Sequence, residues 1–350
     1  MELCDILRKN SKIIRVSLVG YGSSASYFHL PALKSIANVE LFAAIDPSPQ
    51  NRNEAIKEGF RNAWDIDNLQ NLSSNNTDLV IICSPNIFHY EQVLLLLKKG
   101  INVVCEKPLC LNYKDVEILV DVAKSNQLIL CPFHNRRFDD EFIKLKEIIT
   151  KVGKITQIDL SVQKWDLSYQ YASENFYPKW RKNKKFGGGM FNDWMPHLID
   201  KLMCIVGFEI PDVINSISIA SCWTTDCDDL TSIQYYWREK NLFSRVNISA
   251  LDYSVNLINR TERVKILGYN GAICINGNDE SGEINLFEKD KNPQVFSYSN
   301  NPIEIKTFYE RIINAITTKK ASLQPISFEE TLLSYKLMDL TLKKTLTNYG

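Results

Sequence analysis

The chain has 350 residues, more than one hydrophobic core usually organises, so two domains are expected. Apolar residues make up 45% and charged residues 23%, and 41 basic residues balance 41 acidic ones. That is a globular composition without the bulk positive charge that draws a protein to nucleic acid or anionic membrane.

The opening "MELCDILRKNSK" has no long apolar core and no small-residue cleavage site, and reads as a short leader. No segment approaches the apolar length of a membrane span. Nine cysteines, an odd number with no C-x-x-C pair, point to reduced thiols in the cytoplasm. Cys222 and Cys227 lack a supporting His or Cys pair, so no metal is expected.

The first 130 or so residues alternate strand and helix. Apolar, β-branched runs at 13–20, 39–46, 77–85, 101–108 and 127–133 predict strands. Helical patterns fall between them at 26–37, 52–59, 87–99 and 113–125. This rhythm signals βαβ units and a doubly wound parallel sheet, with ligands at the strands' carboxyl ends. After residue 132 the pattern changes. A helix over 138–151 leads into longer alternating strands at 154–165, 213–223, 230–237, 242–250, 263–275 and 283–288, with "YNG" at 269–271 suited to a tight hairpin. Helix interrupts at about 190–206, and helices at about 303–317 and 327–345 close the chain. The expected fold is an α/β domain over 1–132 with a doubly wound parallel sheet, then a mainly antiparallel α+β domain over 133–350.

Directly after the first strand comes Gly20-Tyr21-Gly22-Ser23-Ser24-Ala25, a G-x-G-x-x-A turn. Gly20 permits the tight turn, Gly22 lets backbone approach a pyrophosphate, with Ser23 beside it, and Ala25 lets helix and strand pack closely. Asp46 ends the second strand, where a carboxylate accepts from an adenosine ribose and repels a 2′-phosphate. This predicts NAD as cofactor, with NADP possible. Read alone, the turn is equally a structural βα connection.

Glu106-Lys107-Pro108 ends the fourth strand, where a charged pair is either a surface turn or part of a site. In "GGGMFNDWMPHLID" (187–200) Asp193 and His197 lie four positions apart, so a helix puts both on one face. The glycines Gly187–Gly189 are expected to let the chain pass close to a nicotinamide and substrate, and Pro196 places the helix start nearby. The blander reading makes His197 a helix cap and Asp193 a turn residue. The stretch 163–186 mixes aromatics and bases. Trp165, Tyr177, Trp180 and Arg181 are candidates for a pocket wall in a substrate-covering loop, in preference to a nucleic-acid surface. Of the other histidines, His29 is expected to pack in the first helix.

Four stretches, "GYGSSASYFHLPAL", "SPNIFHYEQVLLLLKKGINVVCEKPL", "HNRRFDDEF" and "GGGMFNDWMPHLIDKL", together resemble the Gfo/Idh/MocA family of NAD(P)-dependent oxidoreductases, most strongly the branch with scyllo-inositol dehydrogenases. The resemblance implies sugar, sugar-derivative or inositol substrates and a dimer or tetramer built through the second domain's sheet. It implies cofactor contacts at Ser84, Pro85, Asn86, His89, Glu106 and Lys107, a substrate contact at Lys107, either a substrate contact or pairing with an acid at Arg136, and an acid and a histidine at Asp193 and His197. It also makes the bond after Lys107 a candidate cis peptide.

His197, with an ordinary pKa of about 6.5, suits proton transfer during carbinol oxidation. Asp193 is expected to orient it, and Lys107 to stabilise charge on the reacting oxygen. Many relatives read D-L-G-x-H, whereas this chain has Met195 and Pro196 before His197, which alters the pocket. Two other functions share the scaffold: glycoside cleavage assisted by tightly held NAD, and a non-catalytic dinucleotide sensor.

Overall fold

The computed structural model describes residues 12–165, 180–223, 226–252, 254–255 and 261–348. Tyr177 lies outside the described residues. Packing divides them into two compact units, one of residues 12–133 and 302–332, the other of 134–165, 180–301 and 333–348.

The first unit is built on six parallel strands: β1 (Ile14–Val19), β2 (Val39–Ile45), β3 (Asn62–Trp64), β4 (Leu79–Ile82), β5 (Asn102–Cys105) and β6 (Leu130–Pro132). Their order is β3-β2-β1-β4-β5-β6, so direction of travel reverses between β1 and β4. In open α/β sheets that reversal leaves a crevice at the strands' carboxyl ends. The central strands are apolar on both faces because both are covered. All four residues of β4 are buried, as are Val16, Leu18 and Val19 of β1.

Helices α1 (Leu30–Lys34), α2 (Pro49–Lys57), α3 (His89–Lys98) and α4 (Tyr113–Ser125) form the connections. Their starts follow local chemistry. The Ser48 hydroxyl and the Asn112 side-chain oxygen accept from the backbone N–H of Asn51 and Asp115 to cap α2 and α4. Later in the chain, α7 (Lys306–Thr318) completes this core: Phe308 and Tyr309 pack on Phe133, with ring centroids 5.2 and 6.3 Å away.

The second unit holds a nine-stranded mixed sheet. It comprises β7 (Ile155–Gln163), β8 (Val213–Ile219), β9 (Leu230–Trp237), β10 (Leu242–Ser249), β11 (Thr261–Gly268), β12 (Gly271–Gly277), β13 (Ser281–Glu288), β14 (Gln294–Ser299) and β15 (Thr345–Asn348). The order is β14-β13-β12-β11-β7-β10-β9-β8-β15. The β7–β10 and β8–β15 pairs are parallel and the rest antiparallel. The "YNG" turn is a two-residue hairpin between β11 and β12, as its composition requires. Inward and outward residues alternate: Thr231, Ile233, Tyr235 and Trp237 are buried while Ser232 and Gln234 face out. Helix α5 (Asp140–Ile148) and helix α6 (Met190–Val206) belong to this unit, and α8 (Phe328–Lys344) runs along the chain up to β15. No helix among the described residues is long and apolar enough to cross a membrane.

Candidate active site

The first unit holds the glycine turn and the acid that ends the second strand. Gly20 lies at the carboxyl end of β1 with φ +84°, and a Cβ there would sit 2.7 Å from backbone atoms of Cys83 and Ser84. Only glycine fits both the dihedral and the approach to the end of β4. Gly22 differs: a Cβ built on it meets nothing within 4 Å. The turn therefore keeps an open, side-chain-free face at the strand-order reversal, which fits a pyrophosphate. Ala25 is fully buried and opens a π-helical turn, Ala25–His29, that runs into α1.

Asp46 ends β2 as expected, but its carboxylate is occupied by its own chain. It accepts from the Tyr21 N–H (2.7 Å), the Ser48 N–H (2.8 Å) and Asn51 Nδ2 (3.1 Å). Burial raises its pKa, against the pull of those three donors. Asp46 thus ties the glycine turn to the start of α2, a role the sequence reading did not include.

The loops after β4 and β5 are joined by His89. Its Nδ1 faces the Pro108 carbonyl oxygen at 2.7 Å and its Nε2 faces that of Ser84 at 2.8 Å. The Ser84 hydroxyl donates to Gln92 at 2.6 Å. Asn86 is buried in the turn between Pro85 and α3. The Lys107–Pro108 peptide is cis. Glu106 accepts from Ser24 and lies 3.2 Å from His29 Nε2, while His29 Nδ1 meets the Tyr309 hydroxyl. Burial would lift the Glu106 carboxyl, but the bond and charge of His29, the Lys107 charge and the Ser24 hydroxyl together hold it down at about 2. His29 is therefore buried as expected, but it packs as the partner of an acid.

The second unit carries Asp193 and His197 on α6. The helix starts at Met190, earlier than Pro196 suggests, because Asp228 caps it. The Asp228 carbonyl oxygen accepts from the Met190 N–H (3.1 Å) and its carboxylate from the Phe191 N–H (2.8 Å). Pro196 then sits inside the helix, where its missing N–H leaves the Asn192 carbonyl without its usual donor. With the segment helical, Asp193 and His197 do share a face. The glycine run answers to the chain itself. A Cβ on Gly188 would lie 2.4 Å from the Arg181 carbonyl oxygen, and one on Gly189, at φ +106°, 2.4 Å from Asp228 Oδ1. Next along, Asp229 accepts from the N–H groups of Ser221, Cys222 and Trp223. Burial pushes the Asp228 pKa up to about 6, only partly offset by Thr231 and the Phe191 N–H, with the Asp229 charge adding to the rise.

Around this helix lies a network of buried charge. Arg137 grips Asp200 with Nε at 2.8 Å and Nη2 at 2.7 Å, tying the "NRR" stretch to the "HLID" stretch. Burial opposes the Asp200 charge, yet His134 and Arg137 hold its pKa low. Arg136 contacts Asp139 (3.0 Å) and Asp279 (3.5 Å), and its guanidinium lies 6.0 Å from the Trp194 ring centroid. Glu141 takes Lys201 and Arg263, and Asp279 takes Arg263 and Lys164, both at 2.8 Å. Arg136, Trp194, His197, Lys201 and Arg263 line one small recess of about 20 Å³.

Arg181 lies 3.9 Å from Asp193 and stacks on Trp180 at 4.4 Å. Trp165 packs edge-on against Trp223, 4.8 Å between centroids. The second unit thus gathers Arg136, Asp193 and His197 around one helix, with Trp180 held beside them through Arg181. Sequence reasoning missed Trp194, Lys201, Arg263 and Asp228. Trp194 lay in plain view between the acid and the histidine, but the others carry no local pattern.

Residues 14–134 match the family model described as "Oxidoreductase family, NAD-binding Rossmann fold". An uncharacterized oxidoreductase of Schizosaccharomyces pombe is 32% identical over 198 residues, 55% of this chain and 52% of that protein. A scyllo-inositol 2-dehydrogenase (NADP(+)) of Bacillus subtilis is 27% identical over 201 residues, 57% of this chain and 54% of that protein. The chain spans about half the length of these curated relatives. A 3-ketoreductase from Actinomadura kijaniata, solved in complex with NADP and TDP-benzene, shares the fold at a TM-score of 0.81 and 16% identity, over 97% of this chain and 100% of that one. The first unit, with strand order β3-β2-β1-β4-β5-β6, is thus a Rossmann fold, and its residues 14–134 are similar to the NAD-binding domain of the Gfo/Idh/MocA oxidoreductase family.

Proposed function

We propose that the protein is an NAD(P)-dependent dehydrogenase or ketoreductase. It would move a hydride between the nicotinamide and a carbinol carbon of a sugar, sugar derivative or inositol. The observation that carries this reading is the open face of the Gly20–Gly22 turn at the strand-order reversal of the sheet. Two relatives have names of this substrate class: one is a scyllo-inositol 2-dehydrogenase (NADP(+)) of Bacillus subtilis, and another, from Escherichia coli, a D-glucoside 3-dehydrogenase.

In this reading Gly20, Gly22, Ser23 and Ala25 frame the pyrophosphate, and Asp46 fixes the turn beneath the ribose. Ser84, Pro85, Asn86, His89 and Glu106 shape the loops next to the nicotinamide. The bound cofactor supplies hydride chemistry. Lys107 hydrogen-bonds the reacting oxygen, His197 exchanges its proton, and Asp193 orients His197. Arg136, Trp165, Tyr177 and Trp180 contribute to substrate binding. We favour NAD because the Asp46 charge opposes a 2′-phosphate, and dissociation constants for NADH and NADPH decide that point. We further propose a cytoplasmic homodimer or homotetramer joined through the nine-stranded sheet, where Ile217, Phe287 and Val295 are exposed. Light scattering tests that assembly.

The central test is a panel of inositols, hexoses and sugar nucleotides, followed by absorbance of the reduced nicotinamide. On the best substrate, His197→Ala should lower turnover by roughly 10²–10⁴ with NADH binding retained. Near-normal turnover removes His197 from the chemistry. Cofactor binding with no turnover across the panel favours a sensor.

A further inference from the structure

The recess beside His197 is walled by three cations, Arg136, Lys201 and Arg263, with no Asp or Glu among its nine lining residues. The counter-charges stand behind the wall. Glu141 meets Lys201 and Arg263, Asp279 meets Arg136, Arg263 and Lys164, and Asp139 meets Arg136. Among the described residues this cluster sets four cations against three carboxylates. Glu141 is 2% exposed, and the side chains of Lys201 and Arg263 only 11% and 13%. Lys164 and Asp279, at 28% and 19%, reach nearer to water, and a surplus positive charge in such a part-buried cluster favours an anion that completes it. The donors are of the right kind, because guanidinium forks match planar carboxylates. About 20 Å³ is room for one or two oxygen-sized atoms of an anion. Trp194 and Val162 add an apolar wall beside the charges.

We propose that this recess binds the carboxylate of an acidic sugar, a uronic or aldonic acid. Lys201 and Arg263 would then be specificity-determining residues. The nature of the ligand rests on the dehydrogenase reading above, but its test does not need turnover. Calorimetric titration of the full chain with NADH present would compare D-glucuronate, D-galacturonate and D-gluconate with D-glucose, D-galactose and D-glucose 6-phosphate, at fixed ionic strength.

At least one acid should bind about tenfold or more tightly than its neutral counterpart, and more tightly than the phosphate. Added sodium chloride should weaken the acid and leave the neutral sugar unchanged. Lys201→Met keeps the Glu141–Arg263 pair and should erase most of the preference. If that variant does not fold, the salt dependence of the unaltered protein decides. No acid outbinding its neutral counterpart, a tighter phosphate, or an intact preference in Lys201→Met overturns the proposal. Acid binding without nicotinamide reduction would instead sink the dehydrogenase reading and leave the recess standing. Turnover of neutral sugars with no acid preference would do the reverse.

Discussion

Glu106 in the first unit and Asp228 in the second are both buried carboxylates on loops beside a strand end, yet their protonation preferences oppose each other. Glu106 faces His29 and neighbours Lys107, and its pKa falls to about 2. Asp228 has only neutral donors, Thr231 and the Phe191 N–H, with Asp229 adjoining, and its pKa rises to about 6. Burial pushes both upward. What separates them is whether a cation stands within reach.

The largest expected effect comes from converting one kind into the other. Arg137→Ala leaves Asp200 in the second unit without its guanidinium. It should lower stability by about 3–5 kcal/mol at neutral pH, read from the urea midpoint. A change below 1 kcal/mol would mean that partner charge does not govern these sites.

Glu106 gives the next largest effect. With its folded pKa below its ordinary 4.5, it contributes stability above that pH, and the contribution is lost as pH falls towards 2. The difference is about 3 kcal/mol, and Glu106→Gln should flatten that part of the stability profile. For Asp228 the sign reverses. Its folded pKa lies above the ordinary 3.8, so its contribution is complete below that pH and lost as pH rises through about 6. Asp228→Asn should remove a decline of roughly 2–3 kcal/mol across that window. Parallel slopes in the two variants would break the comparison.

The smallest effect on folding is expected at Gly22→Ala, under about 1 kcal/mol, because the new methyl meets nothing. NADH affinity should nevertheless fall roughly tenfold or more, since the methyl projects where the pyrophosphate approaches. Unchanged affinity would remove that turn from the cofactor site.

The glycine turn after β1 and the acid ending β2 were legible because their parts are contiguous. A strand, a glycine turn and an acid ending the next strand are local patterns, each with a local cause. The helical spacing of Asp193 and His197 was legible for the same reason. The charge network was not. Lys201 and Glu141 are 60 positions apart, and Arg263 and Glu141 are 122 apart. In sequence each looks like an ordinary surface residue, and only the mixed sheet brings them together. Arg137 and Asp200, like Glu141 and Lys201, sat in quoted motifs, but nothing local paired them. The glycine run was recognised as a close approach, but its neighbours, Arg181 and Asp228, could not be read from residues 187–189.

Asp228 also links two parts of the chain that selection can vary separately. The start of α6 is bolted to the connector ahead of β9, and Asp229 braces the same connector at residues 221–223. Changes in that short stretch can tilt or slide the helix bearing Asp193 and His197 within the second unit. The position of that helix is accordingly set by residues well outside its own sequence, at 221–223 and 228–229.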